Sequence, residues 1–258
     1  MPVSRRALPS TTEASDPTGL RTAAAVMLWI SVVLLVDTAG SLSVQRVLGV
    51  LTWVVLFAVL RRETAPVRTQ TAIVVAFATA VEFVFSPLLG VYLYRLGNVP
   101  AYVPPGHGLV YLAALSIGRS TWTRLRRRGL TTAVVVVGGC WALYGVTLAP
   151  RPDQLGAFWF CCLAVFLICG PSRELYVGAF VVVSYLELLG TSLGAWTWQP
   201  RDPVGLVTIG NPPSGASGGY AWFDLAALLG APALGRLLGL SGPAGGGAEA
   251  GPKSPVAM

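Results

Sequence analysis

The chain is made of apolar runs long enough to cross a hydrocarbon core as a helix, which takes roughly 20 residues. Eight such runs can be drawn, at 20–42, 45–61, 69–95, 105–122, 129–149, 155–171, 175–198 and 219–240. No other feature narrows the fold as much. Inside a bilayer the backbone must satisfy its own polar groups, which leaves helices or a closed barrel, and runs this long select helices. The fold class expected is all-α: a polytopic transmembrane helical bundle of seven or eight spans. Seven results if 155–171 is too short to cross, or if 45–61, close behind its predecessor, does not cross on its own.

Charge agrees with that reading. Only 11% of the 258 residues are charged and 54% are hydrophobic, with a mean hydropathy of +0.67. A soluble domain is about a quarter charged. The net charge of +7 does not point to nucleic acid, because the arginines form no patch with interleaved aromatics. They alternate instead. Arg5, Arg6 and Arg21 precede the first run, Arg61, Arg62 and Arg68 follow the second, and Arg119, Arg124, Arg126, Arg127 and Arg128 surround the end of the fourth. The other loops hold roughly one each: Arg46, Arg95, Arg151 and Arg201. The positive-inside rule then puts both termini in the cytoplasm and the loops at 96–104 and 199–218 outside. The expected location is the cell membrane, multi-pass, with the lipid bilayer as the chain's surroundings. Residues 1–19 read as a disordered cytoplasmic tail, 20–240 as the transmembrane helical domain and 241–258 as a second disordered tail. Cys140, Cys161, Cys162 and Cys169 fall in apolar segments without metal-ligand spacing and read as small apolar fillers.

Two stretches echo one another. EFVFSPLLGVYLYRLGNVPAYVPPGHGLVY begins at Glu82 and ELLGTSLGAWTWQPRDPVGLVTIGNPPSGASGGY at Glu187. Each starts with a glutamate late in an apolar run and reaches a glycine followed by two aromatics at alternate positions. These are Gly90, Tyr92 and Tyr94 in one, and Gly194, Trp196 and Trp198 in the other. Each then passes an asparagine, Asn98 or Asn211, and a Pro-Pro pair into the next run. Two parallel four-helix repeats would produce this pattern. An interfacial belt of Tyr and Trp accounts for part of it. Pro/Gly-rich segments returning into the membrane are better suited to lining a cavity.

Glu82, Glu187 and Asp224 lie within apolar runs, and Asp37 near the end of the first. A charged side chain at the bilayer centre costs about 2.5–3.5 kcal/mol on insertion scales, so such groups face the bundle interior. Helix pairing by hydrogen bonds would be the structural explanation. A set of acids at related depth points instead to chemistry. A desolvated carboxyl without a countercharge keeps its proton near neutral pH and can act as a general acid. His107, the single histidine, stands at the start of the fourth long run, either as a helix-start residue or next to a carboxyl that it tunes. One histidine excludes a multi-His metal site. The chain has no GxGxxG, P-loop, HExxH or GxSxG, and no aspartate cluster of the DDxxD or DxDD kind. No metal or other cofactor is expected.

The segments AVEFVFSP, carrying Glu82, and GGYAWFD, carrying Asp224, set among Trp, Tyr and Phe, resemble the small integral-membrane terpene cyclases. That family includes fungal indole-diterpene and meroterpenoid cyclases and bacterial drimentine-type enzymes. Ala80 and Val81 stand where the family often carries an aromatic. The resemblance implies a non-metal, protonation-initiated cyclase of isomerase or lyase type, acting in meroterpenoid secondary metabolism on a hydrophobic, already prenylated small molecule. It implies Glu82 and Asp224 as the acid pair. Beside it, Glu187 reads as a third catalytic candidate, and Tyr92, Tyr94, His107, Trp196, Trp198, Tyr220, Trp222 and Phe223 as substrate-binding walls. The alternative from the same residues is a proton-coupled transporter or lipid-binding multi-pass protein. The duplication and the broken return loops favour that alternative.

Overall fold

In the computed structural model, residues 18–237 are described. The expected tail at 241–258, and 1–17 of the expected tail at 1–19, lie outside the described residues. Each of the eight apolar runs forms a helix: α1 (Thr18–Asp37), α2 (Leu42–Leu60), α3 (Ala65–Phe83), α4 (Val103–Arg119), α6 (Arg127–Thr147), α7 (Gln154–Cys169), α8 (Arg173–Ser192) and α9 (Ala216–Leu237). A short α5 (Thr121–Leu125) joins α4 to α6. Five helices among the described residues are long and apolar enough to cross a membrane, namely α1, α2, α3 with its extension to Leu88, α6 and α8. Their outward faces carry Leu28, Val50, Phe57, Leu88, Val137 and Leu143, all exposed. So much apolar surface on a single chain belongs against lipid, and the chain is a membrane protein with an all-α architecture.

Helix α4 is the central post. Pro105 and every residue from His107 to Gly118 are buried in it, as expected of a helix apolar on all sides. It packs most closely on α8, where Gly178 makes the crossing possible. A Cβ there would fall 2.2 Å from the Ala114 carbonyl oxygen.

Two runs end earlier than their hydropathy predicts. The run at 69–95 stops being α-helical after Phe83, passes through one wide π-turn at Val84–Leu88 containing Pro87, and becomes a strand, β1 (Tyr92–Tyr94). The run at 175–198 stops at Ser192 and becomes β2 (Trp196–Trp198). Gly90 (φ +64°) and Gly194 (φ +68°) sit at the breaks, in a left-handed conformation that side chains disfavour. Hydropathy cannot distinguish these continuations from helix, because the strands are as apolar as the helices that feed them.

The strands pair antiparallel, Tyr92 opposite Trp198, Leu93 opposite Thr197 and Tyr94 opposite Trp196. The repeated stretches therefore meet each other at this ribbon. Strand period places all four aromatics on the buried face and Leu93 and Thr197 on the other.

Two polar clusters fix the segments around the ribbon. Asp37, fully buried, accepts hydrogen bonds from Gln45 (2.9 Å), Arg95 (3.2 Å) and Tyr102 (3.0 Å). Asn98 donates to Gln45 (3.0 Å). On the other side, Asp153 accepts from the amides of Gly156 (2.9 Å), Gly210 (2.8 Å) and Ser214 (2.7 Å). Asn211 accepts from the Trp198 amide (3.0 Å). Asn211 therefore holds a strand of the ribbon directly, and Asn98 ties the loop after β1 to α2. The four cysteines are free, three exposed and Cys162 half-buried.

Candidate active site

Glu82 is the last residue but one of α3, just before the π-turn, and its carboxylate reaches back over the strand that follows. Oε2 accepts hydrogen bonds from the hydroxyls of Tyr92 (2.8 Å) and Tyr94 (2.7 Å). Oε1 lies 2.8 Å from Nε2 of His107 on α4. Glu187 on α8 repeats the arrangement with different chemistry. Its Oε2 accepts from the indole nitrogens of Trp196 and Trp198, both at 3.0 Å. Among the described residues no hydrogen bond reaches its Oε1. Both glutamates are buried. The sequence echo thus becomes a geometric one: each copy of the motif holds its own glutamate with the two aromatics of its own strand.

Both carboxyls open onto one cavity of about 260 Å³ within the bundle. Its wall is aromatic and aliphatic with few polar groups, the usual character of a small-molecule site. Tyr92, Tyr94, His107, Trp196, Trp198, Tyr220, Trp222 and Phe223 all face it. His107 stacks on Tyr220 (5.3 Å between centroids) and meets Phe223 edge-on (5.7 Å).

The wall also includes residues that sequence reasoning did not single out: Trp29 on α1, Thr52 on α2, Phe77 and Phe85 near Glu82, Tyr102 before α4, and Trp159 on α7. Trp159 packs edge-on against Trp198 at 5.7 Å, and Trp29 donates to Thr52 at 3.3 Å. Phe85 and Tyr102 belong to the first of the two echoing stretches but lie outside its glutamate and paired aromatics, and Trp29, Thr52, Phe77 and Trp159 carry no signal in the sequence beyond membership of an apolar run.

Asp224 takes a different place from the one its pairing with Glu82 implies. It is buried but does not line the large cavity. It borders a separate small cavity together with His107, Tyr111, Tyr220 and Phe223. Tyr220 and Asp224 are one helical turn apart on the same face of α9. Tyr220 occupies the chamber wall, and Asp224 comes one turn further into the helix, behind the His107–Tyr220 stack. The geometry therefore brings Glu82 and Glu187 to one chamber and separates Asp224 from it by a shared wall that includes His107, Tyr220 and Phe223.

No family model, curated protein or solved structure matches this chain.

Proposed function

We propose that the chain is a multi-pass terpene cyclase of the cell membrane, with all eight long helices embedded in the bilayer. In this reading it protonates the prenyl chain, a farnesyl group for preference, of an already prenylated natural product such as a prenylated indole. The resulting carbocation then closes into rings. The observation that carries this reading is the pair of buried carboxyls, Glu82 and Glu187, on the wall of a single aromatic-lined cavity.

Each part of the chemistry has a candidate residue. A prenyl tail is apolar and partitions into the bilayer and then into an apolar chamber. Glu82 suits the donor role, because tyrosine hydroxyls and a neutral imidazole can accept as well as donate hydrogen bonds. Its partners can rearrange as the proton leaves. Indole N–H groups only donate, so Trp196 and Trp198 hold Glu187 as an acceptor, with Oε1 free to take the proton lost by the final cation. Between those steps the cation sits among rings of Tyr92, Trp196, Trp198 and Phe223, each worth roughly 0.5–2 kcal/mol when desolvated. Exclusion of water protects it from quenching.

The test is conversion of farnesylated indoles by isolated membranes in D2O. The expected product is an isomer of the substrate carrying one deuterium, formed without any ion gradient. Absence of conversion, together with proton-coupled flux across sealed vesicles, would replace this reading with the transporter alternative.

A further inference from the structure

His107 and Asp224 each leave a polar atom without a partner on the same internal surface. Nδ1 of His107 and Oδ2 of Asp224 are both buried, with no hydrogen bond among the described residues. Both residues line a second cavity of about 10 Å³, otherwise closed by side chains such as Val110, Tyr111, Ala114 and Ala179. Buried polar atoms are nearly always satisfied by protein or by ordered water. A cavity of roughly 10–15 Å³ by this measure holds one water molecule, which can accept from one neighbour and donate to the next. The hydroxyl of Tyr111 is already engaged with Gln70 at 2.9 Å. On its other side, His107 is 2.8 Å from Glu82.

We propose that one ordered water in this small cavity joins Asp224 to His107, and that the three form a relay that re-arms Glu82. The proposal rests on the reading of Glu82 as the proton donor. Asp224 passes the proton on Oδ2 to the water, and the water passes one to Nδ1 of His107. The imidazole then releases the proton on Nε2 to Oε1 of Glu82. Water and imidazole end neutral, the imidazole as its other tautomer, and Asp224 has lost the proton that Glu82 has gained.

The relay moves the negative charge left by substrate protonation out of the chamber to Asp224. Glu82 can then neither recapture its proton from the cation nor bond to it. Over a whole turnover one proton enters the substrate and one returns to Glu187. That proton passes back through Glu82 and the same chain in reverse, so nothing is consumed. Asp224 touches no substrate and acts through His107. This explains how an acid outside the chamber can still serve it.

The single histidine makes the relay directly observable. With 15N-histidine incorporated and the full chain in lipid vesicles, the imidazole signals in a solid-state NMR spectrum come from His107 alone. The wild type should show a water cross-peak to Nδ1. Asp224→Asn should shift the Nδ1 signal and change the tautomer balance. Ala179→Val, which fills the small cavity and leaves both polar residues in place, should remove the water cross-peak. A wild type without that cross-peak, or an Nδ1 signal unmoved by both variants, overturns the relay.

A kinetic arm separates this proposal from the reading beneath it. With a farnesylated indole as probe, Asp224→Asn should lower kcat tenfold or more at unchanged KM. If the wild type converts the probe and the variant turns over equally fast, the relay fails and the cyclase reading stands. If the NMR coupling is present and the wild type converts nothing, the relay stands and the cyclase reading fails.

Discussion

Tyr92 lies opposite Trp198 across the ribbon, with ring centroids 4.6 Å apart, yet the two donate to different carboxyls. Tyr92 serves Glu82 and Trp198 serves Glu187. The register of one three-residue pairing therefore sets the donors of both acids at once. A slip of either strand by one residue would turn that strand's two aromatics away from the chamber.

Removing one donor should be felt as lost stability. Tyr94→Phe leaves the Glu82 carboxyl with Tyr92 and His107 as partners. Truncating one partner of a buried hydrogen bond costs about 1–3 kcal/mol. The double change Tyr92→Phe, Tyr94→Phe should cost more than either alone. Thermal unfolding in detergent, followed by loss of helical circular dichroism, measures this. Wild-type midpoints for all three variants would mean that the bonds contribute nothing.

Gly190 controls Trp196 by leaving space for it. A Cβ at position 190 would fall 1.9 Å from the Trp196 ring. Gly190→Ala must therefore push the indole off the Glu187 carboxylate, with overpacking of about 1–3 kcal/mol. Gly129→Ala is the matched control, since nothing lies within 4 Å of its added carbon. Tryptophan near-UV circular dichroism should change in the first variant and not in the second.

What the sequence disclosed follows from which interactions are local. Helix existence was legible because membrane-length apolar runs allow little else. The wall formed by Tyr92, Tyr94, Trp196 and Trp198 was legible because alternate spacing after a glycine recurs twice. The ribbon was not, because pairing of segments about a hundred residues apart leaves no mark on either. Trp29 and Trp159 reach the chamber through helix packing alone. Which cavity Asp224 borders was not legible, because an apolar run records depth along α9 and not rotation about its axis. Its i, i+4 relation to Tyr220 places it behind that ring.

Asp153 should be the fastener of the segment that follows β2. Its two oxygens accept three backbone amides, two of them from Gly210 and Ser214. In Asp153→Asn, one oxygen becomes an NH2 group that cannot accept, so at least one of these amides loses its partner. Hydrogen exchange should accelerate at Gly210 and Ser214 while the core of α4 keeps its protection. Unchanged exchange at both residues would show that the segment is held by other contacts.

The same segment carries a pH-dependent element outside the membrane-spanning helices. Hydrogen bonds from backbone amides, that of Val207 first, hold the half-buried Asp202 carboxyl below its usual aspartate pKa. A carboxyl lowered in the folded state stabilises its loop fully above the unfolded value and loses that contribution as pH falls through the folded one. The turn at 202–207 should therefore stay ordered at neutral pH and loosen only below about pH 4. Asp202→Asn should loosen it at every pH. Amide exchange at Val207, followed against pH in both proteins, decides this. Equal loosening of the wild type near pH 7 would contradict it.

The proposed division of labour between the two glutamates predicts different failures on the two sides of the ribbon. Glu82→Gln keeps the shape and removes the proton to be donated, so no cation forms and a farnesylated indole should be recovered unchanged. General acid catalysis contributes about 10²–10⁴-fold, which sets the expected loss. Glu187→Gln leaves Glu82 able to protonate the chain but removes the carboxylate that receives the final proton. The cation then persists until it loses a proton elsewhere or meets water. The expected products are double-bond isomers of the normal ring system and alcohols heavier by one water. Mass spectrometry of the product mixture separates the two cases. A Glu187→Gln variant that returns only unreacted substrate, beside a Glu82→Gln variant that makes hydrated rings, would exchange the two roles.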